Sequence, residues 1–272
     1  MLVSIIVATY GRRAPLEKFF QSVAEQSFRN VEVIIVDQNP SGFLDDIILA
    51  YQGFFPLIHV LSQTANASTA RNIGIAHAKG DVIAFPDDDC LYAPGVIQRV
   101  VDELEANTHW SGLLVSWAQS PKKPRHPGRV DRVTRWTAFR RAGTLVQFYR
   151  ASAINGILFD PALGPGENSK YGSGEDTSFL LSVLSKKMYV AKIHDVLVYH
   201  LEPDFSNPDM FHRVRSYALG RMRLLRKHKF PLWFKLANVF YPLLHIPFCG
   251  RDAVPYHKAM FVERWKGFWD KE

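Results

Sequence analysis

Short apolar runs alternate with segments of helical periodicity through the first 110 residues, and this order limits the possible folds more than any other feature. The runs are rich in Val and Ile and are bounded by polar or turn-forming residues, so we interpret them as buried strands. Strands that alternate with helices form doubly wound, mostly parallel sheets flanked by helices. We therefore predict an α/β fold. The predicted strands cover residues 3–8, 31–36, 57–61 and 82–85.

Polar side chains follow three of these strands at their carboxyl ends, where ligands bind in doubly wound sheets. Tyr10 follows the first strand, Asp37 follows the second, and an acidic triplet of Asp87, Asp88 and Asp89 follows the fourth. We expect these positions, which are distant in sequence, to share one crevice.

The acidic triplet indicates which ligands this crevice would bind. Three carboxylates on one short strand end repel one another, which destabilises the fold unless a cation lies among them. Hard divalent cations prefer oxygen ligands, and Mg²⁺ in particular joins one or two carboxylates to substrate phosphates. The triplet therefore predicts a divalent cation and a phosphorylated substrate.

The rest of the chain is less regular. A loop rich in proline and basic residues is predicted over residues 120–132, and a glycine-rich loop over 164–174. Ser68 or Thr69 is predicted to cap the helix that precedes the fourth strand. Further predicted strands cover residues 113–118, 145–149, 189–193 and 196–200, and further predicted helices begin near residues 15, 43, 94, 175 and 211.

Length and composition exclude several classes of protein. A chain of 272 residues, 47% of them hydrophobic, is long enough for one large domain or a domain with an appendage. Cys90 and Cys249 are its only cysteines, so we expect neither a disulfide framework nor a zinc site, and a reducing compartment. The N-terminus lacks the basic region of a signal peptide, and no apolar stretch is long enough to span a membrane. We expect a cytoplasmic protein.

The formal net charge of +7 is concentrated in residues 121–150 and 211–235. In the tail, basic residues alternate with Trp and Phe, which is typical of a segment that lies on a membrane surface. Arg213, Arg215 and Arg221 could instead reach a diphosphate. A basic surface can also bind nucleic acid, but no nucleic-acid-binding motif accompanies it, so we expect no nucleic-acid partner.

Five motifs in order along the chain resemble glycosyltransferase family 2, whose members have the GT-A fold. The resemblance covers about residues 1–205. It implies a nucleotide-sugar-binding half at 1–110, an acceptor half at 111–205 and a basic, aromatic helical tail at 206–272. The motifs are residues 4–12, residues 34–38, Ala70-Arg71-Asn72-Ile73-Gly74, Asp87-Asp88-Asp89 and Gly174-Glu175-Asp176.

The resemblance also implies roles for single residues. Asp176 would be the base that removes the proton of the acceptor hydroxyl. Asp89 and His200 would be ligands of Mn²⁺ or Mg²⁺. The residues implied in binding the nucleotide-sugar are Thr9, Tyr10, Arg12, Asp37, Arg71, Asp87 and Asp88.

Alternatives stay open for several of these positions. Glu175 competes with Asp176 for the role of base, and an acidic residue at a helix start can simply stabilise the helix dipole. Either Arg12 or Arg13 could point inward. A histidine at a strand end, such as His200, is as readily a structural hydrogen-bonding residue as a metal ligand.

The activity implied by the resemblance is metal-dependent, inverting transfer of a sugar, from a donor that is expected to carry uridine diphosphate. The acceptor would be a saccharide or a lipid-linked saccharide in the synthesis of a surface polysaccharide, at the cytoplasmic face of the inner membrane. A nucleotidyltransferase would use similar carboxylates, but residues 9–12 are a poor substitute for its glycine-rich phosphate loop. A basic nucleic-acid-binding module is the other alternative.

Overall fold

A computed structural model describes residues 1–120, 128–139, 143–167, 169–200 and 210–270. Three short 3₁₀ turns, at Thr144–Val146, Ile246–Phe248 and Arg251–Ala253, accompany the strands and helices. The strands are β1 Val3–Thr9, β2 Val31–Asp37, β3 Leu57–Leu61, β4 Val82–Ala84, β5 Cys90–Tyr92, β6 Gly112–Ala118, β7 Val130–Arg132, β8 Gln147–Arg150 and β9 Val190–His200. The helices are α1 Arg13–Ala24, α2 Asp45–Tyr51, α3 Ala67–His77, α4 Val96–Ala106, α5 Ala151–Ile154, α6 Glu175–Ser185, α7 Met210–Lys227, α8 Leu232–His245 and α9 Val254–Trp269.

The strands form one sheet in the order β3-β2-β1-β4-β8-β6-β9-β5, with β7 paired to β9. The first four strands are parallel, as the alternation of strands and helices predicts. In the second half, β8 runs antiparallel between β4 and β6, and β9 is parallel to β6. The predicted α/β fold is confirmed, with the parallel pairs concentrated in its first half.

Helices cover both faces of the sheet, so its central strands are buried on both sides. All seven residues of β2 are buried, which explains why its sequence is mostly apolar. Its two acidic residues, Glu32 and Asp37, accept hydrogen bonds from Ser4 and Asn39. One core lies beneath α1 and α4 and includes Phe19 and Val100. The second core lies beneath α3, α6 and α7 and includes Ala70, Phe179 and Met222.

Four sequence predictions need correction. The predicted strands at 189–193 and 196–200 form one strand, β9, with a register shift against β6. The C-terminal end of the predicted loop 120–132 is strand β7, while residues 121–127 lie outside the described residues. The cap of α3 is Asn66, whose side chain accepts a hydrogen bond from the backbone N–H of Thr69. The predicted strand at 145–149 begins as a 3₁₀ turn and becomes strand only at Gln147.

The C-terminal helices pack onto the domain. Met222, Leu224 and Leu225 of α7 are buried in the second core. Helix α9 packs along α7, where Gly267 leaves so little room that a Cβ atom would lie 2.9 Å from Cβ of Met222. The predicted boundary between residues 205 and 206 lies outside the described residues, and the division into domain and tail stays a prediction. None of the helices in the described ranges is both long and apolar enough to cross a bilayer.

Candidate active site

A cavity of about 970 Å³ opens at the carboxyl ends of β1 and β4, and helices α7 and α9 form its opposite wall. The expectation of a shared crevice at this edge of the sheet is met for Tyr10 and the acidic triplet, but not for Asp37, which does not line the cavity. Of the residues singled out from the sequence, those lining the cavity are Tyr10, Arg12, Arg71, Asp87, Asp88, Asp89, Glu175, Asp176, His200, Arg213 and Arg221.

Each carboxylate of the acidic triplet has its own partners. Asp87 accepts a hydrogen bond of 2.9 Å from Arg71. Asp88 is buried and accepts hydrogen bonds from the hydroxyl of Thr9 at 2.8 Å and from Arg12 at 3.0 Å. Burial raises the pKa of Asp88 against the opposing charge of Arg12. Asp89 also pairs with Arg12, so this arginine partly neutralises the triplet.

Strand pairing places His200 beside the triplet, although the two are distant in sequence. Strand β5 follows the triplet directly and pairs antiparallel with β9, so that Cys90 lies opposite His200. Nε2 of His200 lies 3.1 Å from Oδ1 of Asp89. Burial opposes ionisation of Asp89, but the hydrogen bond with His200 and the charge of Arg12 outweigh it and lower the pKa of Asp89. The same hydrogen bond raises the pKa of His200.

Asp87, Asp89 and His200 fit a divalent cation. Each offers one ligand atom, and the three atoms all lie within 4.8 Å of one another. Two carboxylate oxygens suit Mg²⁺ and Mn²⁺, and an imidazole nitrogen is a common ligand of transition metals. The geometry adds Asp87 to the two ligands that the sequence predicts, Asp89 and His200.

Arg71 joins the two acidic regions of the cavity. It lies in α3 with its side chain only 7% exposed, and its guanidinium contacts Asp87 at 2.9 Å and Glu175 at 3.6 Å. Its Nη1 and Nε atoms are buried without a hydrogen-bond partner among the described residues. An arginine held this way between two carboxylates is a fixed positive charge inside the cavity, unlike an ordinary surface arginine.

Glu175 and Asp176 begin α6 directly after the glycine-rich loop. Gly174 has a φ of 101°, a left-handed conformation that favours glycine, and it turns the chain into the helix. Burial raises the pKa of Asp176, although the backbone N–H of Thr177 opposes the shift. Burial and the charge of Asp176 raise the pKa of Glu175 against the attraction of Arg71. Both carboxyls line the cavity, and the choice of Asp176 as base stays a prediction.

Two of the predicted donor-binding residues lie behind the cavity lining. Thr9 is buried and supports Asp88 through its hydroxyl. Asp37 is fully buried, and its carboxylate accepts hydrogen bonds from Asn39 and contacts His59 at 2.9 Å. The predicted contact of Asp37 with a nucleotide base stays a prediction.

The structure shows which of Arg12 and Arg13 points into the cavity. Arg12 lines the cavity, whereas Arg13 turns away to pair with Asp46 and to donate a hydrogen bond to the carbonyl of Phe43. Tyr10 is 60% exposed at the entrance, where its ring is open to a planar ligand.

The wall formed by α7 and α9 includes Arg213 and Arg221, which the sequence analysis singled out, and Tyr217 and Arg264, which it missed. Arg213, Tyr217 and Arg221 recur at intervals of four along α7, which places them on one face of the helix. This spacing is a sequence signal for a common face, but it does not tell a cavity from a membrane. Arg264 of α9 also lines the cavity, and nothing local in the sequence distinguishes it from other basic residues of the tail.

The cavity lies at the carboxyl ends of the strands of an α/β sheet, which is where open α/β sheets bind ligands. Residues 4–156 match the family model described as Glycosyl transferase family 2. Because this match covers more than half of the chain, the chain belongs to that family. This confirms the family that the sequence motifs indicate.

Curated relatives match only part of the chain. An uncharacterized glycosyltransferase of Haemophilus influenzae is 32% identical over 107 residues, which are 39% of this chain and 35% of that protein. The putative teichuronic acid biosynthesis glycosyltransferase TuaG of Bacillus subtilis is 37% identical over 103 residues, which are 37% of this chain and 41% of that protein. The matches thus span less than half the length of these relatives.

Solved structures share the fold over nearly the whole chain. The crystal structure of S. aureus TarS 1-349 superposes with a TM-score of 0.64 at 17% identity, covering 99% of this chain and 81% of that one. The mannosyltransferase PcManGT from Pyrobaculum calidifontis, solved in complex with GDP-Man and Mn²⁺, gives a TM-score of 0.70 at 16% identity and covers 99% and 88%. At these identities the likeness establishes the fold alone, and that fold is GT-A.

Proposed function

We propose that this chain transfers a sugar from a nucleoside diphosphate sugar to a hydroxyl of a saccharide, with a divalent cation and with inversion at the anomeric carbon. One observation carries the proposal. A cation-binding group of Asp87, Asp89 and His200 lines the same cavity as the partly buried carboxyl of Asp176. Glycosyl transfer needs both features, because a diphosphate must depart and a hydroxyl must lose its proton.

The residues at the sheet edge bind and orient the donor in this proposal. Asp87, Asp89 and His200 would hold Mn²⁺ or Mg²⁺, which when bound supplies a Lewis acid that neutralises the departing diphosphate. Arg12 and Arg71 add positive charge beside the same carboxylates. Tyr10 offers its exposed ring to the nucleotide base.

Asp176 acts on the acceptor. Its carboxylate takes the proton from the acceptor hydroxyl while the hydroxyl oxygen forms the new bond to the anomeric carbon. The bond between that carbon and the diphosphate oxygen breaks on the opposite face, which inverts the configuration. Burial that raises the pKa of Asp176 makes it a stronger base than an exposed carboxylate.

Two related structures support a nucleoside diphosphate sugar as donor, and one of them, TarS, supports uridine as the nucleoside. TarS has been solved in complex with UDP-GlcNAc and with UDP, and PcManGT with GDP-Man and Mn²⁺. We propose a uridine diphosphate sugar as donor. The printed name of TuaG refers to teichuronic acid biosynthesis, and we propose a saccharide or lipid-linked saccharide of a surface polysaccharide as acceptor.

The test measures free nucleoside diphosphate released from a panel of nucleotide sugars, with Mn²⁺ and after exhaustive chelation. We expect chelation and Asp89→Asn to abolish release. Asp176→Asn should lower kcat by about 10²–10⁴-fold, and Asp102→Asn, an exposed carboxylate of α4, should leave kcat unchanged. Release that survives chelation would refute metal dependence. Release of pyrophosphate would indicate a nucleotidyltransferase, and a product with retained configuration would refute direct displacement.

We also propose that the tail lies on the cytoplasmic face of a membrane. Helices α8 and α9 and the turn between them expose large apolar side chains beside the exposed basic residues Arg251, Lys258 and Lys266. Apolar side chains flanked by positive charge complement an anionic lipid surface. The apolar residues are Leu232, Trp233, Phe240, Tyr241, Leu244, Phe248, Val262, Trp265 and Trp269.

Vesicle flotation tests the membrane proposal. The protein should float with vesicles that contain phosphatidylglycerol and should not float with vesicles of phosphatidylcholine alone. A Trp233→Ser, Phe248→Ser double variant should lose flotation, while Phe54→Ser, which removes an equally exposed apolar residue remote in sequence from the tail, should keep it. No flotation with anionic vesicles would overturn the proposal.

A further inference from the structure

The basic wall of the cavity has no acidic partner of its own. Arg221 and Arg264 both line the cavity, and neither forms an ion pair with any residue in the described ranges. The only polar groups they contact there belong to Asn238. Nε of Arg221 donates to its side-chain oxygen at 3.0 Å, and Nη1 of Arg264 donates to its carbonyl at 2.7 Å.

Burial makes this arrangement costly for the protein alone. Nε of Arg264 is buried without a hydrogen-bond partner in the part of the chain that the structure describes. The guanidinium of Arg221 lies 3.9 Å from the centre of the Phe139 ring. Burial and the charge of Arg264 lower the pKa of Arg221 to about 10 against the attraction of Asp176, and burial lowers that of Arg264 to about 10. Charges withdrawn from water are normally paired. Asp176 attracts Arg221 without forming an ion pair with it, so the two neighbouring guanidiniums indicate that a ligand supplies further negative charge.

The same two helices show what a fully paired arginine looks like. Arg215 of α7 pairs with Glu263 of α9, with its Nε and Nη2 atoms at 2.9 and 2.6 Å from one carboxylate oxygen. Arg215 does not line the cavity. The fold thus provides an acidic partner for the arginine outside the cavity and none for the two arginines inside it.

Close packing fixes this pair next to the predicted base. At Gly220 a Cβ atom would lie 2.3 Å from the carbonyl oxygen of Ser173, so α7 crosses directly over the loop that leads into α6. Arg221 follows Gly220 directly, and Asp176 follows Ser173 by three residues. An anion held by Arg221 therefore lies on the side of the cavity where the acceptor hydroxyl must approach.

We propose that Arg221 and Arg264 form a binding site for an anionic group, a phosphate or a carboxylate, carried by the acceptor saccharide. The proposal rests on the proposed glycosyl transfer for its assignment to the acceptor. The diphosphate of the donor is the other possible source of the anion. It would lie at Asp87, Asp89 and His200, which belong to the sheet edge, whereas the two arginines belong to α7 and α9.

Calorimetric titration with glycerol 3-phosphate tests the site, using protein saturated with UDP and Mg²⁺. We expect saturable binding that weakens by at least about tenfold in Arg221→Gln and in Arg264→Gln, because each loses a charge-assisted contact. Arg215→Gln is the matched control and should bind like the natural protein. Arg264→Lys keeps the charge and should retain most of the affinity, which separates a lost contact from misfolding.

Three outcomes would overturn the proposal. Equal affinity in the natural protein and both glutamine variants would remove the arginines from the site, and so would no binding by the natural protein. Binding of glycerol 3-phosphate to the protein without nucleotide, but not to the UDP-saturated protein, would assign the anion to the donor. If UDP itself does not bind, the proposed donor is wrong, but the titration without nucleotide still decides whether the arginines bind an anion.

Discussion

Glu175→Gln removes one carboxylate from the cavity while keeping its shape, and it should make the stability of the protein less dependent on pH. The Glu175 side chain is 12% exposed, and burial, followed by the charge of Asp176, raises its pKa from 4.5 to about 7. Between these values the folded protein keeps a proton on Glu175 that the unfolded chain has released. The free energy of unfolding must therefore fall as the pH rises through this window.

The shift sets the size of the effect. Each pKa unit corresponds to about 1.4 kcal/mol, so the natural protein should lose about 3 kcal/mol through Glu175 between about pH 4 and pH 8. Glutamine does not titrate and should lose nothing at this position. Urea unfolding followed by circular dichroism measures the free energy of unfolding. Between about pH 4 and pH 8, this free energy should rise by about 3 kcal/mol in the glutamine variant relative to the natural protein.

The comparison of two proteins cancels the titration of most other groups, and Glu17→Gln, at an exposed position of α1, controls for the loss of a carboxylate as such. The control should track the natural protein at every pH. A difference between Glu175→Gln and the natural protein that does not change with pH would refute the reasoning. A relative loss of stability at the higher pH would show that the attraction of Arg71 exceeds the cost of burial.

Three further substitutions test packing and the cation site. Gly74→Ala should lower the free energy of unfolding by about 1–3 kcal/mol, because the new Cβ would lie 2.2 Å from a side-chain carbon of β1; Gly53→Ala, with open space around it, should leave the thermal midpoint unchanged. Phe179→Ala should cost about 3–5 kcal/mol in urea unfolding, since its buried ring stacks on Phe159 at 4.2 Å; a cost under about 1 kcal/mol would contradict this packing. His200→Gln should weaken Mn²⁺ binding by at least about tenfold in calorimetry, and an unchanged affinity would remove the imidazole from the ligand set.

Local sequence patterns predicted the first half of the sheet well because its signals are local. The strand at residues 57–61 has the predicted bounds, and the strands beginning at Val3, Val31 and Val82 start where their apolar runs start. Parallel strands buried on both faces are mostly apolar, and the buried Glu32 of β2 is accommodated by a hydrogen bond from Ser4. A short continuous run between turn residues therefore carries most of the information.

The second half depends on pairing between distant segments, which local patterns do not encode. Strand β5 has three residues and is held by β9. Strand β8 pairs antiparallel with both β4 and β6, which are distant from it in sequence. Arg264 is one basic residue among many in the tail, and only the packing of α9 along α7 brings it to the cavity. By contrast, the motif at Gly174 has a local cause, because its left-handed backbone position favours glycine.

The acidic triplet and the arginines of α7 and α9 come from different parts of the chain. A protein of net charge +7 can therefore still hold a local group of three carboxylates. The first half supplies Asp87, Asp88 and Asp89 at the sheet edge, and α7 and α9 supply the arginines across from them. Arg12 neutralises part of the triplet through Asp88 and Asp89. Oδ1 of Asp89 faces His200 and its Oδ2 faces Arg12, so one carboxylate can serve the proposed cation and the guanidinium at the same time. Arg12 would then stay beside the proposed cation and add its positive charge where the diphosphate binds.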